Sequence, residues 1–303
     1  MFEKACLLLY YNETPLHMGT GTAISYVDLP IEREKHTGYP VMPASGIKGV
    51  LRDLARRRWG KDKVEAIFGP EEKPEEYSSC LTFTDGRILL LPVRSLRGIF
   101  AWVTSPFVLQ RLRKDAEIAG LKEEFRFLEE ELHIKDDEAL VCLENEITMN
   151  DKILLEDFEF IAKAGEKAKK IADGLLSFIS VFPSEVVKSL LSNLPKKVAI
   201  TSDDAFSELT NVAMDISTRI KIDYEKGTVV EGALFTEEAV PSESIFYNLV
   251  LFTSPYKNEI VKGSDEVVNE IEGLLRECPI VQFGGDATVG RGLVRVAMYR
   301  KEG

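Results

Sequence analysis

His17–Trp59 reads HMGTGTAISYVDLPIEREKHTGYPVMPASGIKGVLRDLARRRW, a polar glycine- and proline-bearing loop that runs into a basic amphipathic helix. A connection as long as Asn12–Ser45 is uncommon inside a domain and usually carries function. Ser45 is a good N-cap residue, and Ile47, Val50, Leu51 and Leu54 follow at helical spacing until Gly60 stops the run. Unpaired backbone N–H groups and the positive end of the dipole at Ser45-Gly46 suit an anion. Lys48 and Arg52, four apart and on one face, can extend that site to a second phosphate. A capped helix with a solvated basic face accounts for the same pattern.

Working outward, Ala5–Tyr11 (ACLLLYY) is a short apolar and aromatic run that predicts a buried strand before the loop. With no basic segment and no cleavage site, it does not read as a signal peptide. Beyond the helix, Cys80–Thr84 and Ile88–Val93 flank Asp85-Gly86, a two-residue hairpin signal. Residues 106 to 195 read as a mostly helical insertion, with FEFIAKAGEKAKKIADGLLSFIS taken as one amphipathic helix. Strand-like sequence resumes after Pro195. Ile216–Pro241, ISTRIKIDYEKGTVVEGALFTEEAVP, alternates on either side of Glu225-Lys226-Gly227 and predicts a long projecting hairpin. A strand (Ile245–Phe252), a helix (Ser264–Arg276) and two strands around a glycine-rich turn finish the chain. The order suits one elaborated α+β domain with helices on one face of a sheet: a core of about 1–105 and 243–303, the insertion, and a hairpin region of about 196–242.

The chain has 303 residues, 38 Lys and Arg and 50 Asp and Glu, a formal charge of −12. That total argues against a polyanion as partner, yet the charge is unevenly spread. From Glu32 to Lys61 there are eight basic residues against three acids, an excess of +5, while Glu71–Glu76 and Asp115–Glu159 are acidic. Four cysteines far apart, with no CxxC pair, favour a reducing cytoplasm over a disulfide framework. No apolar run nears the roughly 18 residues that span a membrane. Abundant Glu and Lys with few Gln and His match thermophile composition.

Phe283–Gly292, FGGDATVGRG, carries four glycines in nine residues. It is not a nucleotide-binding P-loop, because Arg291-Gly292 stands in place of Lys-Ser/Thr and a strand follows. A glycine-rich turn beside an arginine can cradle a polynucleotide backbone, and a plain tight turn fits equally. Asp28, with His17 and His36 nearby in sequence, can bind Mg²⁺ or act as a base, although an aspartate before Leu-Pro is commonly a turn residue.

The segment Asp28–Pro40, DLPIEREKHTGYP, followed by Pro43–Arg52, PASGIKGVLR, resembles the opening motif of the RAMP superfamily of CRISPR proteins. Gly284–Gly292 looks like that superfamily's signature loop. DLPIERE-KHTG and GALFTEEAVP resemble, more closely, the repeated backbone subunits of type III-B Cmr effector complexes. The resemblance implies a ferredoxin-like, RRM-like palm with a thumb hairpin. It implies copies stacked head to tail along a guide crRNA beside the other Cmr complex subunits, and cleavage of paired target RNA at regular intervals. Carried over residue by residue, Asp28 is the catalytic aspartate working with a divalent metal, Mg²⁺ in the first instance. His17 and Glu238 lie where the family has polar groups near the scissile phosphate. Ser45, Gly46, Lys48, Arg52, Gly284, Gly285 and Arg291 hold guide phosphates. A non-catalytic RNA-binding subunit of the same complex is the alternative, and a stand-alone histidine-based processing enzyme ranks third because histidines are few.

Overall fold

Strand β1 (Lys4–Asn12) is buried at every position from Cys6 to Asn12. Successive residues of a strand point to opposite faces, so both faces of the sheet are covered here. Helices on one face alone, as the sequence pattern suggested, would leave every second side chain wet. The computed structural model describes residues 2–21, 27–72, 75–223, 228–257 and 259–301, with the side chains of 221–233 outside that description.

After β1 come a short β2 (Val41–Met42), the basic helix α1 (Ala44–Arg56) and α2 (Lys61–Phe68). Strands β3 (Leu81–Phe83), β4 (Gly86–Arg94) and β5 (Phe100–Thr104) precede α3 (Pro106–Ile118) and strands β6 (Glu138–Val141), β7 (Lys152–Leu155) and β8 (Phe158–Ala164). Helices α4 (Glu166–Ile179), α5 (Glu185–Leu191) and α6 (Leu194–Lys197) lead to β9 (Val198–Thr201) and α7 (Asp203–Val212). Then follow β10 (Asp215–Asp223), β11 (Thr228–Ala239), β12 (Ile245–Phe252), α8 (Ser264–Glu277), β13 (Ile280–Gln282) and β14 (Leu293–Tyr299). The fold is α+β. The main sheet runs β13-β14-β1-β12-β4-β5-β9-β6-β8-β7, with β2 on β4 and β3 on β12. Among the described strands, β5 with β9 and β6 with β8 pair in parallel and the other pairs are antiparallel.

Three stretches depart from the sequence expectation. Asp85-Gly86 is not a hairpin turn: β3 and β4 both pair with β12, end to end, so the two residues mark a break in a strand. Gly86 is pressed against Met42, where an added Cβ would lie 2.9 Å away, and Asp85 turns out to serve α1. Residues 158–164 form a strand paired with β6 and β7, and Gly165, extended, separates it from α4. The segment 106–195 therefore adds strands to the sheet besides its helices. Residues 203–212 are helical, not extended, because the Ser202 hydroxyl accepts from Ala205 N and two aspartates fill the first turn.

Strands β10 and β11 stand apart as a two-stranded ribbon, closed at Asp215 opposite Ala239. The expected turn at Glu225-Lys226-Gly227 lies outside the described residues. Ile216, Ile220 and Leu234 are exposed on one face of the ribbon, with Thr218 and Thr236 between them.

Candidate nucleic-acid interface

The loop after β1 does not run free; it is sewn to the foot of the hairpin. Leu16 and Val240 exchange backbone hydrogen bonds, Leu29 N donates to Thr236 O and Glu238 N donates to Leu29 O. These bonds bring residues 16–31 against the end of β11. His17, buried, sits inside that junction with Nδ1 2.6 Å from the carbonyl of Glu238. A carbonyl only accepts, so Nδ1 carries the proton and a neutral ring presents Nε2 as the acceptor. The His17 carbonyl accepts from Gly285 N at 2.9 Å. Gly284 lies at φ +69°, and a Cβ there would come within 2.1 Å of His17 O, so the glycine-rich turn reaches this loop only as glycine. Met18, the next residue, rests its methyl against Gly46 of α1.

Asp28 lies at the exposed rim of the same junction. Its Oδ2 accepts from Thr236 N (2.8 Å) and Thr236 Oγ1 (2.9 Å), and Asp28 N donates to Thr236 Oγ1 in return. The backbone bond from Thr236, then the hydroxyl bond, hold the carboxyl below the usual carboxylate range. Oδ1 has no partner among the described residues. Glu238, two residues along β11, is buried with both oxygens engaged: Oε2 accepts from Ile31 N (3.1 Å) and Oε1 pairs with Arg33 (2.5 Å). Glu238 thus fixes the Asp28 loop and is not open to a phosphate.

Glu237 was not singled out from sequence, although adjacent glutamates on a strand must face opposite ways and one of the two had to find a separate partner. Fully buried, it pairs with Arg219 (3.0 Å) and Arg291 (2.9 Å). Arg219 also reaches Asp286 (2.8 Å), and Arg291 Nη2 donates to Ser217 Oγ (2.8 Å). Burial, then the neighbouring Asp286 carboxylate, push Glu237 up. Asp286 goes down despite partial burial, because Glu237 and Arg219 hydrogen-bond to it. Arg291, expected as a phosphate grip, is 11 % exposed and turned toward Glu237 and Ser217 of the hairpin.

The start of α1 also departs from expectation. Ser45 is exposed one residue inside the helix, the cap position is Pro43, and Ala44 N donates to Asp85 Oδ1 at 2.8 Å. A carboxylate thus already takes the first amide of the helix, one residue before Ser45-Gly46. Further along, Arg33, Arg56, Arg57 and Lys61 are all in ion pairs, whereas Lys48 and Arg52 form none among the described residues. Partial burial, then Arg52, lower the Lys48 ammonium; partial burial, then Arg56, lower Arg52. The pair lines a cleft of about 440 Å³ with Tyr77, Ser78 and Thr82. The structure therefore gathers His17, Asp28, Glu238, Gly284, Gly285 and Arg291 at the hairpin foot, and leaves Lys48 and Arg52 as the open cationic face.

The RAMP superfamily model matches residues 11–295. The Cmr endoribonuclease Cmr4 of Pyrococcus furiosus is 36% identical over 299 residues, covering 97% of this chain and 96% of that protein. The chain belongs to the RAMP superfamily, within its Cmr4 branch. The CMR subunit Cmr4 of Saccharolobus solfataricus is 25% identical, over 93% of this chain and 92% of that protein. Oligomeric Cmr4 from Pyrococcus furiosus superposes with a TM-score of 0.73 at 30% identity, 99% of each chain covered. A chain of the type III-B Cmr-beta complex bound to cognate target RNA shares this fold at TM-score 0.75 and 22% identity, 98% of each chain covered. Among the described residues no helix is long and apolar enough to cross a membrane, and no three His, Cys, Asp or Glu side chains gather as a metal site. All four cysteines are free thiols.

Proposed function

We propose that this chain is a backbone subunit of a type III-B Cmr effector complex that holds guide crRNA and cuts the paired target RNA beside Asp28. The observation that carries the proposal is the Asp28 carboxylate: exposed, ionised at neutral pH, and fixed to β11 by Thr236 with one oxygen to spare. The relative at 36% identity bears the name endoribonuclease, which supports the cutting activity. The antiparallel order β14-β1-β12-β4, with α1 after β1 and α8 after β12, supports a ferredoxin-like palm. The separate β10-β11 ribbon supports a thumb. The oligomeric relative supports copies stacked head to tail along the guide, beside other Cmr subunits, and the free thiols suit a reducing cytoplasm.

A lowered pKa makes Asp28 a weak general base, so its use is as an anion. Mg²⁺ keeps several waters and takes one or two carboxylates plus substrate phosphate oxygens, and Asp28 Oδ1 fits that donor set. When bound, such an ion supplies positive charge to the phosphate under attack. The chain's own residues do the positioning. Thr236 sets the Asp28 carboxylate, Glu238 with Arg33 and Ile31 N sets the loop, and His17 joins β11 to Gly284-Gly285. A second reading, an RNA-binding subunit that does not cut, is favoured by one observation: Glu237 and Glu238 are both committed to arginines, which leaves Asp28, among these three described carboxylates, as the one without an ion pair.

Asp28→Ala in a complex reconstituted with guide and complementary target separates the two. Loss of cutting by about 100-fold or more, with guide affinity retained, is the expected result. Unchanged cutting leaves the second reading.

A further inference from the structure

The cleft beside Lys48 and Arg52 is not only cationic. Tyr77 forms part of its wall and stacks on Tyr256, ring centroids 5.3 Å apart and planes 13° from parallel. Tyr256 is 76% exposed, so the outer face of the stacked pair is open. Lys257 lies 5.2 Å over the Tyr77 ring, which fastens the β12–α8 connection to the cleft. The nearby acids are engaged with other cations: Glu71 with Arg56, Glu72 with Lys61, and Glu65, whose charge also reaches Arg52, with Lys61 and Lys257. Arg52 gives one N–H to Gly69 O (2.9 Å), while its Nε is buried without an acceptor. The cleft's volume falls in the range of small-ligand pockets, about 300–1,000 Å³.

Two cations without an ion pair share the cleft with Tyr77, and Tyr256, stacked on Tyr77 beyond the cleft wall, carries the open ring face; together they match one chemistry, a nucleotide unit whose phosphate meets Lys48 and Arg52 and whose base lies on Tyr256. We infer that Tyr77–Tyr256 is a base-stacking platform, and that the helix α1 grip takes a whole nucleotide of single-stranded RNA with no preference for its sequence. Every base has a π-face, so stacking adds affinity and tolerates any base. A guanidinium and an ammonium give the salt-dependent part. This rests on the proposed reading of Lys48 and Arg52 as an RNA-phosphate grip, and goes beyond it in assigning the base.

The full-length chain is titrated with a short single-stranded RNA carrying 2-aminopurine, and with an abasic strand of equal length, by fluorescence and anisotropy. The wild-type chain is expected to quench 2-aminopurine and to prefer the base-bearing strand by about tenfold. Tyr256→Ala should drop the base-bearing strand to the affinity of the abasic one, and Tyr256→Phe should keep the preference. Equal affinity of the wild-type chain for both strands overturns the platform, and needs no variant to fold. So does a preference that survives Tyr256→Ala, or loss of self-association in Tyr256→Ala with base preference intact, which would make Tyr256 a contact between copies. Reversing Lys48 and Arg52 to glutamate tests the parent grip separately: it should weaken both strands, and if neither weakens, the grip itself is wrong whatever Tyr256 does.

Discussion

The foot of the hairpin and the face of α1 hold similar charged groups and use them in opposite ways. At the hairpin, Arg219 and Arg291 are closed on Glu237 and Asp286, and little of that charge is left for a partner. On α1, Lys48 and Arg52 stay partly buried and form no ion pair among the described residues, with Glu65 acting on Arg52 only from a distance. Burying an unpaired charge costs free energy that folding alone does not return. The chain pairs its cations in one place and leaves two without an ion pair in another, and the proposed RNA grip falls on the second.

Breaking the closed cluster should give the largest effect. Arg291→Ala leaves Glu237 buried with one partner fewer, and should lower unfolding stability by about 3–5 kcal/mol, read from the denaturation midpoint. A loss below ~1 kcal/mol would show that the cluster is solvent-screened and that the contrast with α1 is false. Lys48→Glu with Arg52→Glu should do the reverse. RNA affinity should fall by at least about tenfold and the log–log salt slope should shrink by roughly 0.7 per lost phosphate contact, with the denaturation midpoint nearly unmoved. A shift in stability as large as that of Arg291→Ala would place these residues in the framework.

The smallest effect sharpens the comparison by pH. The folded-state pKa of Lys48 is lowered, so its positive charge is present below that value and is lost as pH rises through it, before an ordinary lysine would titrate. RNA affinity should accordingly weaken by up to a few-fold, on the order of 1 kcal/mol or less, on going into the alkaline range. Lys48→Arg should flatten that dependence. An identical alkaline profile in both proteins would assign the titration elsewhere.

Much of the architecture was legible because apolar periodicity reports burial directly. ACLLLYY, the α1 stripe and the alternation in Ile216–Pro241 each name their own element. What failed had a common cause, a partner distant in sequence. Asp85-Gly86 has the composition of a turn, yet Asp85 caps a helix 41 positions away and Gly86 packs under it. FEFIAKA has helix-compatible spacing, and only the edges of β6 and β7 make it a strand. At the site, basic residues were countable but their pairing was not. Arg291 and Lys48 look alike in sequence, and the carboxylate that occupies one and misses the other comes from β11. Asp28 gained its weight from the resemblance. What the fold adds is Thr236, which turns a turn residue into a fixed anion.

The His17 ring is bonded to a carbonyl 221 positions later, and its own carbonyl waits for the amide of Gly285. During synthesis the loop therefore leaves the ribosome more than two hundred residues before the groups that pin it. Local elements such as α1 can form early, but long-range closures come late because their entropy must be met before any contact rewards it. Until β11 is made, the chain can carry its cationic helix face without the Thr236 and Glu238 bonds that fix the Asp28 loop, so the proposed grip can form before the proposed cutting site.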